Sequence, residues 1–146
     1  MRIVKIQGNE ADLTICYDIR RQVFIVGQNV PEELEIDGLD QEATHYLVYV
    51  DKLAIGTARV RLINPQEAKI ERVAILESYQ GQGYGSRLIN FILKDLQQHT
   101  NVAIVILGAQ LAALKFYQKL GFSTFGEVFL DAGIEHRWMR RLLIRS

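Results

Sequence analysis

One cysteine, two prolines, one tryptophan and no surplus of either charge mark this chain of 146 residues. A lone Cys16 cannot close an internal disulfide, and nothing at the N-terminus reads as a basic segment followed by an apolar signal core. A cytoplasmic protein is therefore expected. Seventeen basic residues balance seventeen acidic ones, so there is no electrostatic footprint for nucleic acid and no basic patch for an anionic membrane. Apolar runs such as Val102 to Leu107 fall far short of the roughly 20 residues that a membrane helix needs. Low-complexity tracts, repeats and linkers are missing, and only Pro31 and Pro65 interrupt the backbone. The length suits one core, so a single domain over 1–146 is expected, with no metal site.

What is present is a glycine-rich stretch after an apolar strand candidate, Lys69 to Leu76. Gln80-Gly81-Gln82-Gly83-Tyr84-Gly85 opens directly into Ser86-Arg87-Leu88-Ile89. Glycine at every second position lets the backbone turn with positive φ and removes side chains that would block a ligand. The helix that begins there has unpaired N–H groups and a dipole that favours negative charge. Strand, turn and helix thus form a candidate anion cradle. A Walker A loop would need Gly-Lys-Ser/Thr, which Gly85-Ser86-Arg87 does not supply, and a dinucleotide fingerprint would need glycine where Ser86 stands.

Along the rest of the chain, Arg2 to Ile6 reads as a strand. Asn9 could cap a helix whose apolar face includes Leu13, Cys16, Tyr17, Val23 and Phe24. Cys16, on that face, reads as a buried inert thiol. Gly27 to Glu42 is acidic and turn-rich: a solvated loop, or a lid whose carboxylates, Glu35 and Asp37 among them, receive a cationic amine. His45 to Val50 and Leu53 to Ile63 form a hairpin. Arg59 on the second strand reads as solvated, as a partner of Glu71, or as a holder of substrate. Leu88, Ile89, Ile92, Leu93 and Leu96 make the stripe of an amphipathic helix ending near His99. Val102 to Leu107 is apolar on both faces, like a covered parallel strand. A helix over Leu111 to Leu120 capped by Gly121, then strands Ser123 to Leu130 and Ile134 to Leu143, complete a mixed sheet.

Two distant motifs carry a family resemblance. Gln80-x-x-Gly83-x-Gly85 after a strand resembles the pyrophosphate-binding Gln/Arg-x-x-Gly-x-Gly/Ala of the GCN5-related N-acetyltransferases. Gln110-Leu111-Ala112-Ala113-Leu114-Lys115-Phe116-Tyr117-Gln118-Lys119-Leu120-Gly121-Phe122 is similar to that family's Asn-x-x-Ala-x-x-Phe-Tyr-x-x-x-Gly-Phe pattern, with Gln110 replacing the usual asparagine. The segment from Arg21 to Val48 and the ending FLDAGIEHRWM resemble a bacterial subgroup called ElaA-like or YjcF-like, which tends to carry glutamate where Gly27 stands. The resemblance implies a mixed α+β acyl-CoA N-acyltransferase fold: a central mixed β-sheet, splayed between its fourth and fifth strands and flanked by helices. It implies acetyl-CoA as cofactor, gripped by Gln80, Gly81, Gln82, Gly83, Tyr84, Gly85 and Ser86. Val73, Ala74 and Ile75 would lie along the pantetheine and polarise the thioester, and Gln110, Ala113 and Phe116 would complete the cofactor contacts.

Acetyl transfer to an amine needs a neutral nitrogen, whereas an alkyl ammonium has a pKa of about 10. The resemblance places a base on or beside the fourth strand. Glu71 is the leading candidate if burial raises its pKa; its other reading is an ion pair with Arg72 or Arg59. His136 and Asp131 stand in reserve. Tyr117 takes the role of the acid that protonates the departing thiolate. Glu35, Asp37, His45, Arg59 and His136 are candidate acceptor contacts. The partner would be a small-molecule amine or a protein amine; a non-catalytic acyl-CoA-binding module is the alternative. Oligomeric state stays open, a homodimer among the options.

Overall fold

In the computed structural model, which describes residues 1–143, seven strands run Arg2–Gln7 (β1), Thr44–Val50 (β2), Leu53–Asn64 (β3), Glu67–Ile75 (β4), Ile104–Gln110 (β5), Ser123–Asp131 (β6) and Ile134–Leu142 (β7). They form one sheet in the order β1-β2-β3-β4-β5-β7-β6. Only β4 and β5 pair in parallel. The last three residues of the expected 1–146 domain, 144–146, lie outside the described residues.

The helices are Thr14–Arg20 (α1), Glu32–Glu35 (α2), Tyr84–His99 (α3) and Leu114–Lys119 (α4). The expected stripe of α3, Leu88, Ile89, Ile92, Leu93 and Leu96, is buried against Val105, Leu107 and Ala109 of β5 and against Val60, Ala68 and Ile70 of β3 and β4. Burial of such side chains contributes roughly 1.5–3 kcal/mol each, which makes this face the core. A smaller cluster of Leu13, Cys16, Ile19, Leu47 and Ala74 fastens α1 to the opposite face. Cys16 is fully buried, and burial pushes its thiol pKa up.

Several boundaries differ from the sequence reading for local reasons. Asp12, not Asn9, accepts the first helical amide, from Thr14 at 2.9 Å. The first helix widens into a π-helical segment over Arg21–Val26, and Val23 and Phe24, half-buried, still pack against the cluster of Leu13 and Cys16 as expected. The helix expected from Leu111 starts as a 3-10 turn, Leu111–Ala113, before α4. Gly121 ends it as expected, with φ 93° and its N–H on the Gln118 carbonyl at 3.0 Å. The acidic segment is not an open loop: it contains α2 and the 3-10 turn Asp40–Glu42. Among the described residues, no helix is long and apolar enough to cross a membrane.

Candidate active site

The site begins where β4 and β5 part. Their parallel pairing covers only Glu67–Ile104, Ala68–Val105 and Lys69–Ile106. Beyond Lys69 the two strands follow different partners, β5 staying with β7 out to Gln110 and β4 with β3. A bulge bends β4 at this point: Thr57 faces Ala74 and Arg59 faces Glu71, so Ala58 opposes two residues, one of them Arg72 with φ 53°. Bulges of this kind redirect a strand and end its pairing. A cavity of about 590 Å³ fills the gap, with Val73, Ala74 and Ile75 on one edge and Leu107, Gly108 and Ala109 on the other. It is lined from both faces of the sheet.

On the α3 side lies the glycine turn. Gly81 and Gly83 have φ of 74° and 89°, and nothing lies within 4 Å of where a Cβ would stand on either. Both line the cavity, as do Gln80, Gly85 and Ser86, whereas Gln82 and Tyr84 do not. Gln80 and Gln82 brace the turn through Nε2, donating to the carbonyls of Ile75 at 2.9 Å and Ser78 at 3.0 Å. Gly85 serves packing instead of positive φ: it belongs to α3, and a Cβ there would meet Phe116 Cζ at 3.2 Å. The two sequence motifs therefore touch each other. The first amides of a 16-residue helix point at this end of the cavity without intrahelical acceptors.

Ala113, Phe116 and Tyr117 also line the cavity. Tyr117 is 8% exposed, and among the described residues its hydroxyl has no hydrogen-bond partner. Burial pushes its pKa up, which keeps the phenol protonated at neutral pH. Gln110 reaches the cavity too, but its Nε2 donates to Gln28 Oε1 at 2.9 Å and so ties β5 to the segment after the π turn.

On the α1 side stands a buried charge cluster that the sequence reading largely missed. Arg20 and Arg59 are each 1% exposed. Arg20 pairs with Glu35 at 2.8 Å and Asp40 at 2.6 Å. Arg59 pairs with Asp37 at 2.8 Å, Asp40 at 3.0 Å and Glu71, to which its Nε donates at 2.8 Å. Arg72 closes the ring onto Glu35 at 2.9 Å. The acidic segment folds inward because α1, β3 and β4 hold these counter-charges; the excess of acids over 27–42 and the expected Arg59–Glu71 pair were the sequence signals for them.

This cluster corrects several expectations. Arg59 is not solvated, and Arg59, Asp37 and His45 do not line the cavity. His45 is buried, its Nε2–H on the Asp40 carbonyl at 2.8 Å, and burial lowers its pKa. Glu35 lines the cavity but is taken by Arg20 and Arg72. Glu71 lines it as well, yet it accepts from Arg59 and Arg61 and lies 3.1 Å from Lys69. Burial alone would raise its pKa as expected; the surrounding cations outweigh burial and hold it at about 2. A carboxylate so stabilised is a weak proton acceptor at neutral pH.

His136 is placed differently. It lies on β7 beside Gln110, 8% exposed, and lines the cavity. Its Nδ1 is 2.7 Å from the Ile134 carbonyl. A carbonyl only accepts, so Nδ1 carries the hydrogen and Nε2 keeps the lone pair in the neutral ring. Among the described residues Nε2 has no partner. Asp131, the other reserve candidate, lines the cavity but is solvent-exposed.

A mixed sheet parted between two parallel strands, with a helix N-terminus at one end of the gap, defines an acyl-CoA N-acyltransferase type of fold. The sequence matches the acetyltransferase (GNAT) domain family over residues 7–143, and the chain belongs to that family; it is an acetyltransferase. It is 36% identical over 137 residues to the uncharacterized N-acetyltransferase YjcF of Bacillus subtilis, covering 93% of this chain and 96% of that one. The crystal structure of Escherichia coli ElaA is similar with a TM-score of 0.86 at 29% identity, over 97% of this chain and 99% of that one. An acyl-CoA N-acyltransferase from Pseudomonas aeruginosa gives 0.84 at 28%, over 96% and 98%.

Proposed function

We propose that the whole chain works as one acetyl-CoA-dependent N-acetyltransferase domain that acetylates a primary amine by direct attack on the thioester. The observation that carries this reading is the cavity through the sheet, with bare helix amides at one end and an unpaired imidazole nitrogen in its wall. A pyrophosphate would sit against the amides around Gly81 to Ser86, and pantetheine would pair with the free edge of β4 at Val73 to Ile75. Structures of the same fold with acetyl-CoA or coenzyme A bound support acetyl-CoA as the acyl donor.

The entering ammonium gives one proton to His136 Nε2. The lone pair of the resulting neutral amine then attacks the acetyl carbonyl carbon, the N–C bond forms, and the C–S bond breaks with its electrons on sulfur. Tyr117 protonates the thiolate and is reprotonated by the proton that the new amide nitrogen sheds. Glu71, although first in line from sequence, acts here as the anchor of Arg59 and Arg61, because its pairing opposes proton uptake.

Three measurements test the reading. Coenzyme A should bind in calorimetry, and acetyl-CoA should release free thiol with at least one member of a panel of primary amines. His136→Gln should lower kcat by about 10²–10⁴-fold with little change in acetyl-CoA affinity. No association with coenzyme A at millimolar concentration would end the proposal.

A further inference from the structure

On the α1 side the cavity has two apolar walls. Phe24, Val30 and Leu34 line one, and the hairpin of β6 and β7 supplies the other. On that hairpin Phe129 stacks on Trp138, with centroids 4.8 Å apart and planes 20° apart, and on His136 at 5.6 Å and 29°. Gly108 lets these rings lie close to β5, since a Cβ there would meet Phe129 Cζ at 3.2 Å. The cavity wall thus carries three near-parallel rings, with Phe129 stacked on both Trp138 and His136.

The charges nearby do not suit a polycation. Glu35 and Glu71 are held by arginines, and Lys69 lies 5.0 Å from the centre of the Trp138 ring. The remaining lining carboxylate, Asp131, is exposed. A polyamine would need several unpaired anions and an amino sugar many polar partners. Around the ring stack the walls offer rings, aliphatic groups, Gln28 and Gln110 already bonded to each other, and one imidazole lone pair.

We propose that the acceptor is an arylalkylamine: a flat aromatic body seated along the Phe129–Trp138 stack, with its amine directed at His136. Aromatic pairs prefer such offset or edge contacts, and an apolar slot takes a planar ring with little desolvation loss. This substrate class rests on the transferase reading above, and the chemistry of transfer is the same.

Trp138 is the single tryptophan, so its emission reports directly on this wall. In protein saturated with coenzyme A, 2-phenylethylamine should change Trp138 emission saturably, with a Kd at least tenfold below those of spermidine and glucosamine. Its kcat/KM in thiol release from acetyl-CoA should lead by a similar factor. Phe129→Leu, which keeps apolar bulk, should cut that preference by about three- to tenfold while acetyl-CoA affinity stays the same. Equal or better binding or turnover of spermidine or glucosamine overturns the substrate class and leaves the transferase standing. Absence of any emission change with 2-phenylethylamine overturns it too. If 2-phenylethylamine binds but no amine is acetylated while acetyl-CoA is bound, the aromatic site survives and the transferase reading falls.

Discussion

The two ends of the cavity are built on opposite principles. At the glycine turn, recognition comes from bare backbone, and every part lies within a few residues of sequence. On the α1 side, four acids and their cations come from α1, the acidic segment, β3 and β4, and Arg20, Arg59, Glu35 and Asp40 at the centre are buried together. The first arrangement can fail without unfolding the protein. The second cannot, because a buried charge that loses its partner is far costlier than a lost contact.

Arg59→Ala separates the two most sharply. It strips one counter-charge from each of Asp37, Asp40 and Glu71 at the buried centre of the cluster, and stability in urea unfolding should fall by about 3–5 kcal/mol. Coenzyme A affinity of the folded fraction should hold. Acid should act on the same cluster. Glu71 has a folded pKa of about 2 against an ordinary 4.5, so its contribution is complete above pH 4.5 and disappears as pH falls toward 2, roughly 3 kcal/mol in all. Glu71→Gln should flatten this part of the stability profile.

Gly83→Val is the converse experiment. A side chain at φ 89° costs about 1–2 kcal/mol of stability and crowds the cradle. Calorimetry should show coenzyme A affinity reduced by more than about a hundredfold, roughly 2.7 kcal/mol, an effect on binding larger than on folding. Smallest of all should be the effect of Glu71→Gln on kcat, within about threefold near neutral pH if the residue is an anchor. A fall of a hundredfold would return the role of base to Glu71.

The same contrast governs what the sequence disclosed. The alternation of β3, the stripe of α3 and the Gly83-x-Gly85 spacing are local, and each marks its own element. Phe116-Tyr117 was legible for the same reason, although its contact with Gly85 was not. Arg20 was invisible because nothing on α1 says which distant acids it will meet. Phe24 was placed on its face by spacing, although nothing in that spacing disclosed the π turn at Arg21–Val26. Even Glu71, correctly noticed as a charge among apolar neighbours, had two readings that only Arg61 and Lys69 beside it could separate.

Arg72 joins the two ends in one residue. Its left-handed backbone bends β4 away from β5, while its guanidinium holds the Glu35 carboxylate at 2.9 Å and the Glu35 carbonyl at 3.0 Å. Aperture and roof are therefore inherited together. Substitutions that widen the passage between the strands should show epistasis with those in the acidic segment, so that a redesign for bulkier acceptors has to alter both positions at once.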